Sequence, residues 1–166
     1  MIESENKEEN VFMKKLGLIL GLILLSTAGI FAQSIKEIDG KYYSANSKPY
    51  SGHYISVYEN GNVKMEMHLT KGMKNGEVRV YFENGKINEI RSYKKNLMDG
   101  TWITYNIDEI KVAIANYKKG LKNGEWKVWD ETGKLIYEMY YVNGKKSGVW
   151  KKYSPETGEL VSERSY

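Results

Sequence analysis

Residues 124–148 read Gly-Glu-Trp-Lys-Val-Trp-Asp-Glu-Thr-Gly-Lys-Leu-Ile-Tyr-Glu-Met-Tyr-Tyr-Val-Asn-Gly-Lys-Lys-Ser-Gly. The stretch opens and closes on glycine, and that spacing runs outward in both directions. Gly52, Gly76, Gly100, Gly124 and Gly148 each stand 24 residues from the last. With each glycine as position zero, position two carries Tyr54, Val78, Trp102, Trp126 and Trp150. Position five carries Val57, Tyr81, Tyr105, Trp129 and Tyr153. Position seventeen carries Leu69, Tyr93, Tyr117, Tyr141 and, after a one-residue insertion near Pro155, Tyr166. Position fourteen carries Glu66, Ile90, Ile114, Glu138 and, with the same shift, Glu163. A fixed period in this range marks a repeat architecture whose units bury apolar surface only against their neighbours.

Each unit reads as a β-hairpin. Glu77-Val78-Arg79-Val80-Tyr81-Phe82-Glu83 is β-branched and aromatic, Asn84-Gly85 follows, and Lys86 to Tyr93 returns. Asn-Gly between two such runs predicts a type I′ turn, because both residues tolerate positive φ. Asn60-Gly61 repeats the signal, and Thr132-Gly133 and Thr157-Gly158 weaken it. The third unit has Asn106-Ile107-Asp108-Glu109 with no glycine, which predicts a longer or differently shaped turn. No segment after residue 34 has a helical period. The fold expected is all-β: an elongated single-sheet meander of five 24-residue hairpins over residues 52–75, 76–99, 100–123, 124–147 and 148–166. Residues 33–51 lack the repeat. Their Asp39-Gly40-Lys41-Tyr42-Tyr43 and Lys48-Pro49-Tyr50-Ser51 read as a lead-in that caps the first sheet edge, where an unpaired strand would invite foreign strands. Positions two and five fall on opposite faces of a regular strand. That requires either two partly covered faces or a bulge near position three.

Ahead of the repeats, Met13-Lys14-Lys15 precedes an uncharged run, Leu16 to Ala32, that ends in small residues. A charged start, a short apolar middle and a small-residue exit describe a secretory signal peptide over residues 13–32, cut after Ala32. An uncleaved anchor is the competing reading, at the short limit of a membrane span. Residues 1–12 carry four glutamates against one lysine, which is wrong for a signal n-region, so Met13 reads as the true start. The expected location is outside the cytoplasm: periplasmic, cell-surface or secreted.

Composition excludes much chemistry. The 166 residues contain no cysteine and two histidines, His53 and His68. Disulfides, thiolate metal sites and cysteine nucleophiles are thereby absent, and the two histidines share no spacing that suggests a site. No cofactor is expected. Residues 33–166 carry a net charge of +5, too mild for a nucleic-acid binder.

These motifs resemble the MORN-repeat family, and in particular the bacterial variant grouped as YwqK-like antitoxin components. The resemblance rests on Gly124-Glu125-Trp126-Lys127-Val128-Trp129, Thr132-Gly133-Lys134-Leu135, Glu138, Tyr141, Gly144-Lys145 and Gly148, with Asp39 to Tyr43 and Pro49 to Gly52 as lead-in. It covers residues 39–166 and implies a curved sheet of hairpins with stacked aromatics. It also implies a non-enzymatic role in toxin neutralisation, membrane contact or protein contact. The third unit's missing glycine, and Ile90 and Ile114 in place of glutamate, depart from the pattern.

Two surfaces are candidates for contact. The aromatics Tyr81, Trp102, Tyr105, Trp126, Trp129, Trp150 and Tyr153 form columns that either pack unit on unit or present rings to a ligand. In a meander, connectors between hairpins lie along one edge. There Lys71, Lys74, Lys94, Lys95, Lys118, Lys119, Lys122, Lys145 and Lys146 face only Asp99, nine positive charges against one, or +8. The other edge holds Glu59, Glu83, Asp108, Glu109, Asp130, Glu131, Glu156 and Glu159 against Lys86 and Lys134, or −6. A strand of about seven residues spans roughly 23 Å, against a screening length of about 8 Å at physiological salt, so the edges act independently. The basic edge suits an anionic envelope component, including membrane headgroups, or an acidic protein patch. Solvated lysines also serve simply to keep sheet edges from aggregating.

Glu138 and Glu163 would lie about 9.5 Å apart, two strands on, within the roughly 6.5–9.5 Å carboxylate spacing of inverting glycosidases. A catalytic pair needs two unlike environments, and one repeat position supplies like ones, so these glutamates read as structural. The functions carried forward are a non-catalytic envelope binding or scaffold module, and, as the alternative, an antitoxin or immunity protein that masks a toxin. A carbohydrate-active enzyme ranks below both.

Overall fold

The computed structural model describes residues 35–166, which form one compact unit. The signal peptide, its cleavage after Ala32 and the reading of residues 1–12 lie outside the described residues. Every element is a strand: β1 (Lys36–Ile38), β2 (Lys41–Tyr43), β3 (Gly52–Val57), β4 (Val63–Thr70), β5 (Met73–Tyr81), β6 (Ile87–Lys94), β7 (Leu97–Met98), β8 (Gly100–Tyr105), β9 (Lys111–Lys118), β10 (Leu121–Trp129), β11 (Leu135–Val142), β12 (Lys145–Tyr153) and β13 (Leu160–Ser165). From β3 to β13 the chain runs as one antiparallel meander, each strand paired with the next. Strands β7 and β8 are one strand interrupted at Asp99, and both pair with β6. Ten repeat strands in five units match the period of the glycines.

The glycine at position zero sets a bend in each unit. Between β9 and β10 the register shifts from Lys122↔Tyr117 to Trp126↔Ala115, and Gly124 sits inside the shift with φ 101°. Gly100 has φ 105°, and a Cβ there would stand 3.0 Å from the Ser92 Cβ. Neither the backbone angle nor the space admits another residue without strain.

Turn chemistry differs from the sequence expectation. The primed turns are the connectors between units. Lys71-Gly72, Lys95-Asn96, Lys119-Gly120 and Asn143-Gly144 each have positive φ at both central residues and join strands paired across two-residue loops. The Asn60-Gly61 and Asn84-Gly85 turns have positive φ only at glycine. In them the glycine amide donates to the carbonyl three residues back, Gly61 to Tyr58 and Gly85 to Phe82. That is a type I turn followed by a left-handed residue, one residue longer than the type I′ turn expected. The third unit keeps the same shape. Glu109 takes the left-handed position at φ 63°, its amide donates to Asn106 O, and Asn106 Oδ1 accepts from the amides of Asp108 and Ile110. Asp130 Oδ1 accepts the same two bonds in the fourth unit, from the amides of Thr132 and Lys134, where Gly133 is present, so in the third unit Glu109 itself bears the left-handed angle.

The two sheet faces follow from unbroken alternation. Gly124 to Val128 pair with Tyr141 to Tyr137 without interruption, so Trp126 and Trp129 point to opposite faces. The two-faced alternative for positions two and five is the one realised. The bulge lies instead in the returning strand, where Leu135 and Tyr137 pair and Ile136 is skipped.

The buried core is small and sits at the amino-terminal end, where Tyr42, Met67, Leu69 and Val78 pack with Ile35, Tyr50, Tyr54, Met65, Val80 and Tyr93 around them. Tyr42 is the lead-in's contribution. Its amide donates to Gly72 O, its carbonyl accepts from Tyr50, and its ring lies 5.3 Å from that of Tyr54. Burial pushes the Tyr42 hydroxyl above its ordinary range, with Glu37 adding to the effect.

Candidate functional site

On the face that carries Trp126, seven rings form a continuous ladder across the sheet. Tyr93, Trp102, Tyr117, Trp126, Tyr141, Trp150 and Tyr166 alternate, with successive centroids 4.8–5.8 Å apart and planes inclined by 52–62°. The spacing is the strand spacing, about 4.8 Å. In this tilted geometry each ring's positive edge meets its neighbour's negative face. Trp102, Trp126 and Trp150 therefore pack against tyrosines of the neighbouring strands, and each remains partly exposed. The Trp126 indole donates to Asn116 O and the Trp150 indole to Tyr140 O, each at 3.0 Å. Trp102 Nε1 is buried without such a partner among the described residues. The ladder stops where Leu69 and Val78 replace rings, and the core takes over there.

Tyr81, Tyr105, Trp129 and Tyr153 lie on the opposite face. Two of them hold glutamates from the preceding unit: the Tyr81 hydroxyl donates to Glu66 Oε1, and the Tyr153 hydroxyl donates to Glu138 at 2.6 Å. Lys127 Nζ stands 3.3 Å from Glu138, and Arg79 stands 3.6 Å from Glu66. The Tyr153 hydrogen bond, with Lys127 beside it, holds the Glu138 carboxyl below the ordinary range. Glu138 is thereby tied to the strands on both sides of its own, β10 through Lys127 and β12 through Tyr153. The rule extends across units. Glu138 faces Lys151 and Glu66 faces Arg79, whereas Ile90 faces Ile103. The apolar residue at position fourteen of the second unit is matched by its partner strand.

The nine lysines of the basic edge divide into two sets. Lys71, Lys95 and Lys119 occupy the first central position of primed turns, exposed, with φ 52°, 49° and 50°. Lys94 and Lys118 end β6 and β9, and Lys145 begins β12. The other three lie over the ladder. Lys122 Nζ is 4.3 Å from the Trp126 centroid and 4.9 Å from that of Tyr141. Lys146 Nζ is 4.4 Å from Trp150 and 4.6 Å from Tyr166. Lys74 lies 5.8 Å from Tyr42 and 5.4 Å from Tyr93. The corresponding position of the third unit is Met98, and there Arg91, paired with Glu89, covers Trp102 at 5.2 Å. The aromatic columns and basic edge, separate candidates in the sequence, thus meet along one margin of one face.

A column that sequence reasoning missed closes each junction. The residue before each repeat glycine accepts a connector amide: Ser51 Oγ from Lys71, Asn75 Oδ1 from Lys95, Asp99 Oδ2 from Lys119 and Asn123 Oδ1 from Asn143, at 2.8–3.3 Å. The signal was present as Ser, Asn, Asp, Asn and Ser at one repeat position. All are small side chains with an accepting oxygen.

Residues 50–70, 74–95 and 122–143 match the family described as MORN repeat variant. The matches fall on units one, two and four. They skip the unit in which Glu109 replaces glycine and the unit with the insertion at Pro155. No curated protein matches the chain. Repeats of this kind generally mediate binding or scaffolding and are typically non-catalytic. Among the described residues no helix is long and apolar enough to cross a membrane.

Proposed function

We propose that this chain is an exported, non-catalytic binding module of the bacterial cell envelope, and that it engages an anionic envelope component through its basic edge. The observation that supports this reading is the seating of Lys122 and Lys146 over paired rings at 4.3–4.9 Å. A lysine ammonium held over aromatic faces keeps its charge and loses part of its conformational freedom before any partner arrives. With Lys71, Lys95 and Lys119 projecting from successive turns, the margin is a row of cations repeated every second strand, about 9.5 Å apart. A repeating array of this kind suits a repeating anion better than one acidic residue.

Pull-down of the native organism's envelope fraction by the full chain, at low and high salt, tests the reading. Anionic material recovered at low salt and released at high salt is expected. Recovery of the bait alone, or of material indifferent to salt, overturns it.

A further inference from the structure

The chain's only two histidines stand directly opposite each other. His53 on β3 pairs with His68 on β4, and their rings stack with centroids 4.9 Å apart. They lie on the face opposite the ladder, with Glu66, Met67, Glu77 and Arg79 around a shallow hollow of about 330 Å³. The repeat places no demand for histidine there. The same pair of positions holds Glu77 and Ser92, Thr101 and Asn116, Glu125 and Tyr140, and Val149 and Ser165 in the other units. Four unlike pairs satisfy the architecture, so the imidazoles are free to serve something else.

We propose that His53, His68 and Glu66 hold one borderline divalent transition-metal ion, of the Zn²⁺ or Cu²⁺ class. Neutral imidazole is the donor such ions favour, and a carboxylate is a common companion. His53 Nε2 stands 3.7 Å from Glu66 Oε2. Two donors each about 2.0–2.2 Å from a shared ion stand roughly 3.3–4 Å apart at ordinary coordination angles. The other oxygen of Glu66 is already engaged. Oε1 accepts from the Tyr81 hydroxyl and faces Arg79 at 3.6 Å, while Arg79 is itself tied to Glu77 at 2.6 Å. That arrangement orients Oε2 toward His53, as an outer-shell partner orients a ligand. Two carboxylates against one guanidinium leave the hollow net negative, which favours a dication. Among the described residues no three such donors already share one centre. Binding therefore requires the His68 ring to turn out of the stack, and loss of the stack is part of the expected signature.

Zinc titrated into the full chain, followed by the imidazole resonances, tests this directly, since both sets of signals belong to these two residues alone. Saturation at one ion per chain, with both imidazoles shifting together, is expected. The double variant His53→Thr with His68→Asn installs the pair that the third unit already uses, where Thr101 Oγ1 and Asn116 Oδ1 lie 2.8 Å apart. It should fold as the parent does and abolish saturable binding. Glu66→Gln should weaken binding by about tenfold or more. Imidazole signals that zinc leaves in place, or a double variant that binds zinc as well as the parent, would overturn the site. The imidazole readout on the unaltered chain decides the matter even if a variant misfolds.

Discussion

The Trp126 indole nitrogen lies 3.0 Å from the main-chain oxygen of Asn116, and it stitches β10 to the strand before it. Trp102 occupies the same repeat position with no partner among the described residues for its own indole N–H. Phenylalanine at either site keeps a ring in the ladder. Only Trp126→Phe removes a donor that is in use, and a net hydrogen bond contributes about 0.5–1.5 kcal/mol. Trp126→Phe is therefore expected to cost about 1 kcal/mol more than Trp102→Phe in urea unfolding. Equal losses would show that the indole hydrogen bond contributes nothing.

Glu109 holds a left-handed backbone at φ 63° where the other four units have glycine. Its ion pair with Lys86, at 3.6 Å, is exposed and contributes little. Glu109→Gly should raise stability by about 0.5–1 kcal/mol, since relief of the left-handed strain exceeds the added chain entropy. A higher midpoint in chemical denaturation, at unchanged slope, is the expected reading. A lower midpoint would mean that the Asn106 side chain already offsets the strain.

Glu138 is held below the ordinary carboxylate range, first by the Tyr153 hydroxyl and then by Lys127. A depressed folded-state value contributes stability above the unfolded-state value, and that contribution is lost as pH falls through the folded one. The window thus lies at and below the ordinary value of 4.5. Thermal melts of Glu138→Gln against the parent should differ at neutral pH and converge on acidification. A difference that persists undiminished in acid would assign the contribution to packing.

Much of this architecture was legible because the repeat supplied its own controls. Five glycines at one spacing fixed the units, and position seventeen fixed the tyrosines that complete the ladder. Turn types were less legible. Asn84-Gly85 has the composition of a primed turn, yet pairing on either side left a longer loop there, and the connectors between units, Lys-Gly, Lys-Asn and Asn-Gly alike, took the primed geometry. The third-unit turn misled for a related reason: Glu109 takes the left-handed angle that glycine takes in the other units, so the turn keeps its shape without one. The histidine pair was hidden because 15 residues of separation mean nothing until the register sets His53 against His68. Likewise, nothing in the lysine count distinguishes Lys122, which lies on a ring, from Lys119, which projects from a turn.

The basic edge is proposed to make the contact, and its turn-borne cations are those that can be changed without disturbing the ring ladder. Lys71, Lys95 and Lys119 are exposed and stand apart from the ladder, so changing all three to glutamate should leave the thermal melt within about 0.5 kcal/mol of the parent. Sedimentation of parent and triple variant with the native envelope fraction, across a salt series, tests the claim most directly. Each basic residue near an anionic surface contributes about 1 kcal/mol. The variant should therefore bind at least about a hundredfold more weakly, with a shallower dependence on salt. Equal affinity and equal salt dependence in the two proteins would contradict the claim.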